Sequence, residues 1–128
     1  MNQSFGKEYK LCSKKRISEV FEAKQSLKTY PFVTHFLTAV RDQEAVPFQV
    51  VFSAPKRNFR KAHDRNRIKR LMREAFRKNK LPLEAILEER EQCLALFVIY
   101  TSREELPLST LEKKTKQLLS ELIKQLEK

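Results

Sequence analysis

The sequence predicts one mixed α/β domain with helices packed on a small sheet, and three observations carry that reading. YPFVTHFLTAV (30–40) alternates between two sets of side chains and is rich in β-branched and aromatic residues, as a strand with two unlike faces should be. CLALFVIY (93–100) is apolar without interruption, which fits a strand covered on both faces. Between them Ile68, Leu71, Met72, Ala75 and Phe76 recur at i, i+3, i+4, i+7 and i+8, one stripe of an α-helix and no face of a strand.

Each element follows in order. Residues 1–10 read as a loose or extended arm. Ser13 is an N-cap for a first helix over 13–25, with Ile17, Val20 and Phe21 on one side and Lys14, Lys15 and Glu22 on the other. The strand at 30–40 puts Phe32, Thr34, Phe36, Thr38 and Val40 on one face and Val33, His35, Leu37 and Ala39 on the other. A polar turn at 41–46 leads to PFQVVFSA (47–54), and so tight a connection predicts an antiparallel pair. Pro55 closes that strand, and a basic loop and the central helix follow. Leu81-Pro82 ends the helix, because proline disfavours helical geometry in the residue before it. Residues 83–92 form a short amphipathic helix, and the strand at 93–100, reached through helix, makes a parallel β–α–β unit with 47–54. Ser109 and Glu112 have capping-box spacing for a last helix over 110–127, which buries Leu111, Leu118, Leu119, Leu122, Ile123 and Leu126. Gly6 is the only glycine, so the turns must rest on Pro, Asn and Asp.

Charge marks one element above the rest. Of a net +11 over 128 residues, +10 falls in 56–80, where twelve Lys and Arg face only Asp64 and Glu74. Charge so concentrated is an address on one segment rather than a general solubility charge. Asn66, Lys69, Arg70, Arg73 and Arg77 gather on the side away from the apolar stripe, with Arg67 on its flank. A solvated cationic face is the bland alternative. Two features weigh against it: Arg outnumbers Lys within the helix, and acidic partners at i, i+4 are few. The segment reads as a polyanion-binding helix. A pI near 9.9 points to nucleic acid first and an anionic membrane surface second. No apolar run is long enough to span a membrane, and the N-terminus lacks the apolar core of a secretory signal. Cys12 and Cys93 lie far apart with no partner at ligand spacing, so both are expected to be reduced, in a cytoplasmic protein.

Catalytic constellations are missing. Glu88/Glu89 and Glu104/Glu105 read as solvated surface, Asp42 sits in a turn, and His63 lies in the basic loop. His35 reads first as a sheet histidine. No CxxC, HExxH, carboxylate loop or glycine-rich phosphate loop occurs, so no metal site in the protein is expected. Asp64 is expected to cap the central helix or to pair with an Arg one turn on.

RNRIKRLMREAF (65–76) resembles R-N-R-x-K-R-x-x-R, the signature of the protein subunit of bacterial ribonuclease P, through Arg65, Asn66, Arg67, Lys69, Arg70 and Arg73. The order of parts is similar too. Ile-x-x-Val-Phe (17–21), Phe-Val (32–33) and Ser-x-x-Lys (53–56) precede the signature, an apolar strand and a helix follow it, and the resemblance spans 10–125.

That resemblance implies an α+β sandwich, a small mixed sheet of about four strands packed with three main helices, with a left-handed β–α–β crossover against the usual rule. It implies a protein subunit that binds the catalytic RNA and the 5′ leader of precursor tRNA and assists endonucleolytic removal of the leader. Hydrolysis then belongs to the RNA, with Mg²⁺ held mainly by that RNA; the protein supplies no catalytic residue, holds no cofactor alone and is a monomer within the complex, away from membranes. Residue by residue, RNA contact falls to Lys56, Arg57, Arg60 and Lys61 of the loop, and to Arg65, Asn66, Arg67, Lys69, Arg70, Arg73 and Arg77 of the helix. A leader cleft between the first helix and the sheet falls to Ile17, Phe21 and His35. Phe21 matches a cleft aromatic suited to stacking on an unpaired nucleotide, Ile17 stands where many members have a second aromatic, and His35 where Tyr is frequent. The loop NFRKAHD (58–64) departs from the family in being longer and glycine-free. Phe21 stays open between core and cleft, since packing is the first use of any Phe. The competing function is a non-catalytic RNA- or DNA-binding module, ribosome-associated or architectural. A peripheral membrane protein comes third, because the helix lacks a Trp/Phe-rich apolar edge.

Overall fold

A computed structural model describes residues 6–40 and 46–127. After a 3-10 turn (Lys7–Tyr9) come α1 (Lys14–Glu22), β1 (Ser26–Thr29), β2 (Phe32–Val40), β3 (Phe48–Ser53), α2 (Ala62–Asn79), α3 (Leu81–Glu89), β4 (Gln92–Tyr100) and α4 (Leu108–Leu126). One mixed sheet in the order β1-β2-β4-β3 joins the strands, so the expected α+β class and four-stranded sheet are present, with four α-helices.

β2 and β4 take the two interior places, and β4 joins the halves of the sheet. It pairs antiparallel with β2, from Phe32 opposite Tyr100 to Val40 opposite Gln92, and parallel with β3, from Phe48 beside Leu94 to Ser53 beside Ile99. The parallel β–α–β unit is thus as expected. The antiparallel pair expected between 30–40 and 47–54 is not formed, because β4 lies between those strands. An unbroken apolar run is best used where both edges and both faces are covered, and 41–46 is long for a tight hairpin; residues 41–45 of that turn lie outside the described residues. The expected strand at 30–40 starts later, and Ser26–Thr29 forms an extra edge strand against it around the Tyr30–Pro31 turn, whose peptide is cis.

Two layers of unequal size cover the sheet. On one face Phe32, Phe36, Phe48, Val50, Leu94, Leu96, Val98 and Tyr100 form the main core with Ile68, Met72 and Phe76 of α2, Leu83 and Leu87 of α3, and the α4 stripe of Leu111, Leu118, Leu119, Leu122 and Leu126. On the other face Val20 and Leu11 bury Ala95, with Ile17, Leu37, Val51 and Phe97 partly buried around them. Nine residues of α1 span about 13 Å, too short to roof the sheet. Phe97 and Ile99 of β4 are therefore only half-buried, where burial on both faces was expected.

Helix ends follow local chemistry in part. Ser13 caps α1, its Oγ accepting from the Arg16 N–H at 3.2 Å. Without glycine, the chain leaves α1 through Lys24 (φ 54°) and α3 through Glu91 (φ 55°) in the left-handed region. The capping box at Ser109–Glu112 does not form. Leu108 already begins α4, the Pro107 carbonyl accepts from the Thr110 and Leu111 N–H groups, and Glu112 faces Lys78 at 3.2 Å instead.

Of the expected N-terminal arm, residues 1–5 lie outside the described residues, while the part from Gly6 on is docked. Tyr9 is buried against Phe48, with ring centroids 5.3 Å apart, and its hydroxyl donates to Glu84 Oε2 at 2.8 Å. Lys10 bridges to Val50, and the Leu11 N–H donates to the Val50 carbonyl at 3.1 Å, which covers part of the open β3 edge. Lys80, one of the twelve cations of the basic stretch, is also buried here: its ammonium pairs with Glu84, approaches the Tyr9 hydroxyl at 3.4 Å and stands 5.0 Å from the Tyr9 ring centre.

Candidate nucleic-acid interface

The apolar stripe of α2 fixes where its cations go. With Ile68, Met72, Ala75 and Phe76 buried against the sheet, the remaining positions split into two unlike flanks. On the flank toward α4 and the segment before it Arg67 and Lys78 meet acids, and Arg77 is paired within α2 itself. Arg67 is held by Asp64 at 2.8 Å and by Glu105, Arg77 forks onto Glu74 at 2.6 and 3.0 Å, and Lys78 meets Glu112 at 3.2 Å. These contacts push both arginines above their ordinary range, and the hydrogen bonds from Arg77 hold Glu74 below the usual carboxylate range. The expected lack of acidic partners is thereby corrected. The contacts formed are at i−3 and from neighbouring segments, and Glu74 also stands four residues from both Arg70 and Lys78 in the sequence. Asp64 makes the expected pair one turn on, and also lies 3.3 Å from His63.

Toward β3 the other flank keeps its cations outward. Asn66, Lys69 and Arg70 are exposed, Arg73 is half-buried beside them, and none of Asn66, Lys69 or Arg70 has an acidic partner among the described residues. They line a groove of about 310 Å³ whose other wall is Lys10 with Val50, Val51 and Phe52 of β3. Lys10 had no signal in the sequence. It enters the groove because the buried Tyr9 carries the segment onto the strand edge.

Loop 55–61 extends this surface, and it is built without glycine. The Pro55 carbonyl accepts from the N–H groups of Asn58 (3.0 Å) and Phe59 (3.2 Å), Asn58 reaches the Tyr100 carbonyl at 3.4 Å, and the Phe59 ring packs 5.9 Å from that of Tyr100. Arg65 closes the loop from the helix, its guanidinium donating to the Phe59 and Arg60 carbonyls at 2.8 Å each. Lys56, Arg57, Arg60 and Lys61 are left exposed. Of the signature residues, then, Arg65 braces the loop, Arg67 is tied to carboxylates, and Asn66, Lys69, Arg70 and Arg73 line the groove.

The three cleft residues lie where α1 stops short of roofing the sheet. His35 of β2, Phe97 of β4 and Val51 of β3 are register neighbours in one row on the α1 face. Phe21 sits over that row, its ring centre 4.6 Å from His35 and 4.8 Å from Phe97, and it is 40% exposed. It is neither a core residue nor a free one: one side of the ring packs and the other faces solvent. Ile17, one turn earlier, is half-buried in the packing under α1. The sequence reading missed Phe97 as a member of this cluster, although the alternation of 93–100 and pairing with 30–40 place it beside His35. Val51 belongs to both the cleft row and the groove wall, so the two concave regions meet at β3.

Among the described residues no group of three or more His, Cys, Asp or Glu is placed to hold a metal, no helix is long and apolar enough to cross a membrane, and both cysteines are free.

Comparison with known proteins agrees with this geometry. Residues 5–123 match the family described as Ribonuclease P. The ribonuclease P protein component of Porphyromonas gingivalis is 35% identical over 101 residues, covering 79% of this chain and 72% of that protein. That of Legionella pneumophila is 36% identical over 84 residues, covering 66% and 70%. In structure the chain is similar to the ribonuclease P protein of Thermotoga maritima (TM-score 0.68, 23% identity, 88% of this chain and 96% of that one). It is also similar to that of Staphylococcus aureus (TM-score 0.62, 18% identity, 88% and 93%). The chain belongs to the ribonuclease P protein family, the protein components of the ribonucleoprotein that processes the 5′ end of tRNA.

Proposed function

We propose that this chain binds the catalytic RNA of ribonuclease P through loop 56–61 and the β3-facing flank of α2, and takes the single-stranded 5′ leader of precursor tRNA into the cleft under Phe21. One observation carries the reading: Lys69 and Arg70, exposed on one flank of α2 without acidic partners among the described residues, continue, at Val51, into a half-open aromatic row. Phosphates suit the first surface and bases the second. Arg70, Lys69 and the loop cations neutralise the RNA backbone, while Phe21 offers a π-face to an unpaired base, with His35 and Phe97 holding the ring from beneath. Stacking of this kind contributes ~1–3 kcal/mol per base. Arg67 and Arg77 start from carboxylate contacts, so they engage phosphate only by exchanging one anion for another.

Hydrolysis of the phosphodiester is assigned to the RNA partner, with Mg²⁺ held there. Asp64, Glu74 and Glu105 are each occupied by an arginine, so the described residues around the interface do not assemble an oxygen-ligand cage, and no step is routed through a metal on the protein. A general nucleic-acid module without a dedicated RNA is the weaker reading, because the chain belongs to the ribonuclease P protein family.

Reconstitution with a bacterial ribonuclease P RNA at low Mg²⁺ tests the proposal. Cleavage of leader-bearing tRNA should be stimulated, and Lys69→Ala with Arg70→Ala should weaken RNA binding and lower the log–log salt slope by about 2. Phe21→Ala should weaken binding of leader-bearing tRNA and leave mature tRNA unchanged. Cleavage by the polypeptide without RNA, or an unchanged salt slope in a folded double variant, overturns it.

A further inference from the structure

A second concave region lies away from the RNA-facing surfaces. It is a groove of about 900 Å³ between the α2–α3 junction and the outer side of α4, lined by Lys78, Asn79, Leu81, Pro82, Lys116, Leu119, Ser120, Ile123 and Lys124. None of these residues lines the groove beside β3. The floor is aliphatic: Leu119 is buried, Leu81 and Ile123 are half-buried, and Pro82 is exposed. Its rim is cationic, and no acid lines it. Lys78 already meets Glu112, whereas Lys116 and Lys124 are exposed without an acidic partner among the described residues.

We infer that this groove docks an acidic amphipathic helix of a protein partner, with leucine-like anchors seated on Leu81, Leu119 and Ile123 and carboxylates meeting Lys116 and Lys124. Charge complementarity selects that occupant. A second copy of the chain on a two-fold axis would set one lysine rim against another with no acid in either lining. RNA fits poorly, because the floor has no aromatic ring for a base and the rim no guanidinium fork for a phosphate. An amphipathic helix presents anchors at i, i+3/i+4 and i+7, which matches the two turns of α4 that line the groove from Lys116 to Lys124. Aliphatic floor and point-charge rim then act together: anchors exclude water, and the carboxylate–ammonium pairs gain strength at the dried edge.

A defined probe makes the inference testable on the full chain. A helical peptide of about 14 residues, with Leu at i, i+3, i+7 and i+10 and Glu elsewhere, is titrated into isotope-labelled protein and followed by amide NMR shifts. Saturable shifts at Leu119, Ser120 and Ile123, loss of binding when Lys replaces Glu in the peptide, and at least a tenfold weakening by Lys116→Glu with Lys124→Glu support it. Both lysines are exposed, and Ile123→Ser provides a second variant that tests the floor without altering charge. Addition of saturating ribonuclease P RNA should leave the peptide bound, which keeps this outcome separate from that of the proposed RNA surface. Displacement of the peptide by RNA, binding only to anionic vesicles, concentration-dependent dimerisation through these residues, or no saturation at all each overturn it.

Discussion

Replacing Lys80 by Met gives the sharpest test of how the N-terminal segment is held. The ammonium is 2% exposed, pairs with a Glu84 carboxylate that is itself 13% exposed, and lies 3.4 Å from the Tyr9 hydroxyl. Met preserves most of the stem volume, so packing changes little. What changes is charge: Glu84 keeps the 2.8 Å hydrogen bond from Tyr9 but loses its counter-ion in a nearly dry site. Leaving one member of a buried pair alone costs about 3–5 kcal/mol, and the lost cation–π contact over Tyr9 lies inside that figure. Urea denaturation at neutral pH should therefore show a loss of about 3 kcal/mol or more. Adding Glu84→Gln removes the orphaned charge while keeping an acceptor for Tyr9, and should restore stability to within about 1 kcal/mol of the parent. Because Tyr9 carries Lys10 onto β3, Lys80→Met should also weaken RNA binding modestly. A folded Lys80→Met variant that loses under about 1 kcal/mol, or a double variant no better than the single, would refute the reasoning.

Three further outcomes follow from the interface. Arg65→Lys keeps the charge, but its shorter stem does not carry a nitrogen to where Nη1 donates to both carbonyls, so amide exchange in 56–61 should accelerate and RNA affinity fall about fivefold with the salt slope unchanged; a phosphate-contact role for Arg65 instead predicts a near-neutral change. Glu105→Gln releases Arg67 from one of its two carboxylates and should tighten RNA binding by about two- to fivefold at low salt, read by filter binding; unchanged affinity would show that Arg67 takes no part in RNA contact. Burial, and then the Glu84 hydrogen bond, raise the Tyr9 phenol well above its ordinary range. A raised phenol is protonated in the folded chain and ionises first in the unfolded one, so its contribution to stability is complete below about pH 10 and is lost above it. Tyr9→Phe should flatten that alkaline loss, and identical alkaline curves for the two proteins would contradict the assignment.

The strand at 30–40, the apolar strand at 93–100 and the stripe of α2 were legible because periods of 2 and 3.6 reflect which faces are buried, a local property of the chain. The signature was legible for another reason, as a contiguous run of residue types from Arg65 to Arg73. Pairing was not: β2 and β3 follow one another in sequence, yet β4 separates them, because the place between them goes to the strand with the most apolar surface rather than to the nearest neighbour. Single glycine-free loops carry no periodic signal either, so the brace from Arg65 to Phe59 and Arg60 emerged only with the fold.

By itself, the sequence determined that one stretch, the loop and helix of 56–80, carries nearly all the net charge, and family resemblance attached RNA to it. Tertiary structure decided which of those cations are available. Lys80 is buried with Glu84, Arg67 is matched by Asp64 and Glu105, Arg77 by Glu74 of its own helix, and Lys69 and Arg70 face outward beside β3. The physical reason is that a charge count is additive along the chain, whereas the field at a surface depends on distances that only packing sets.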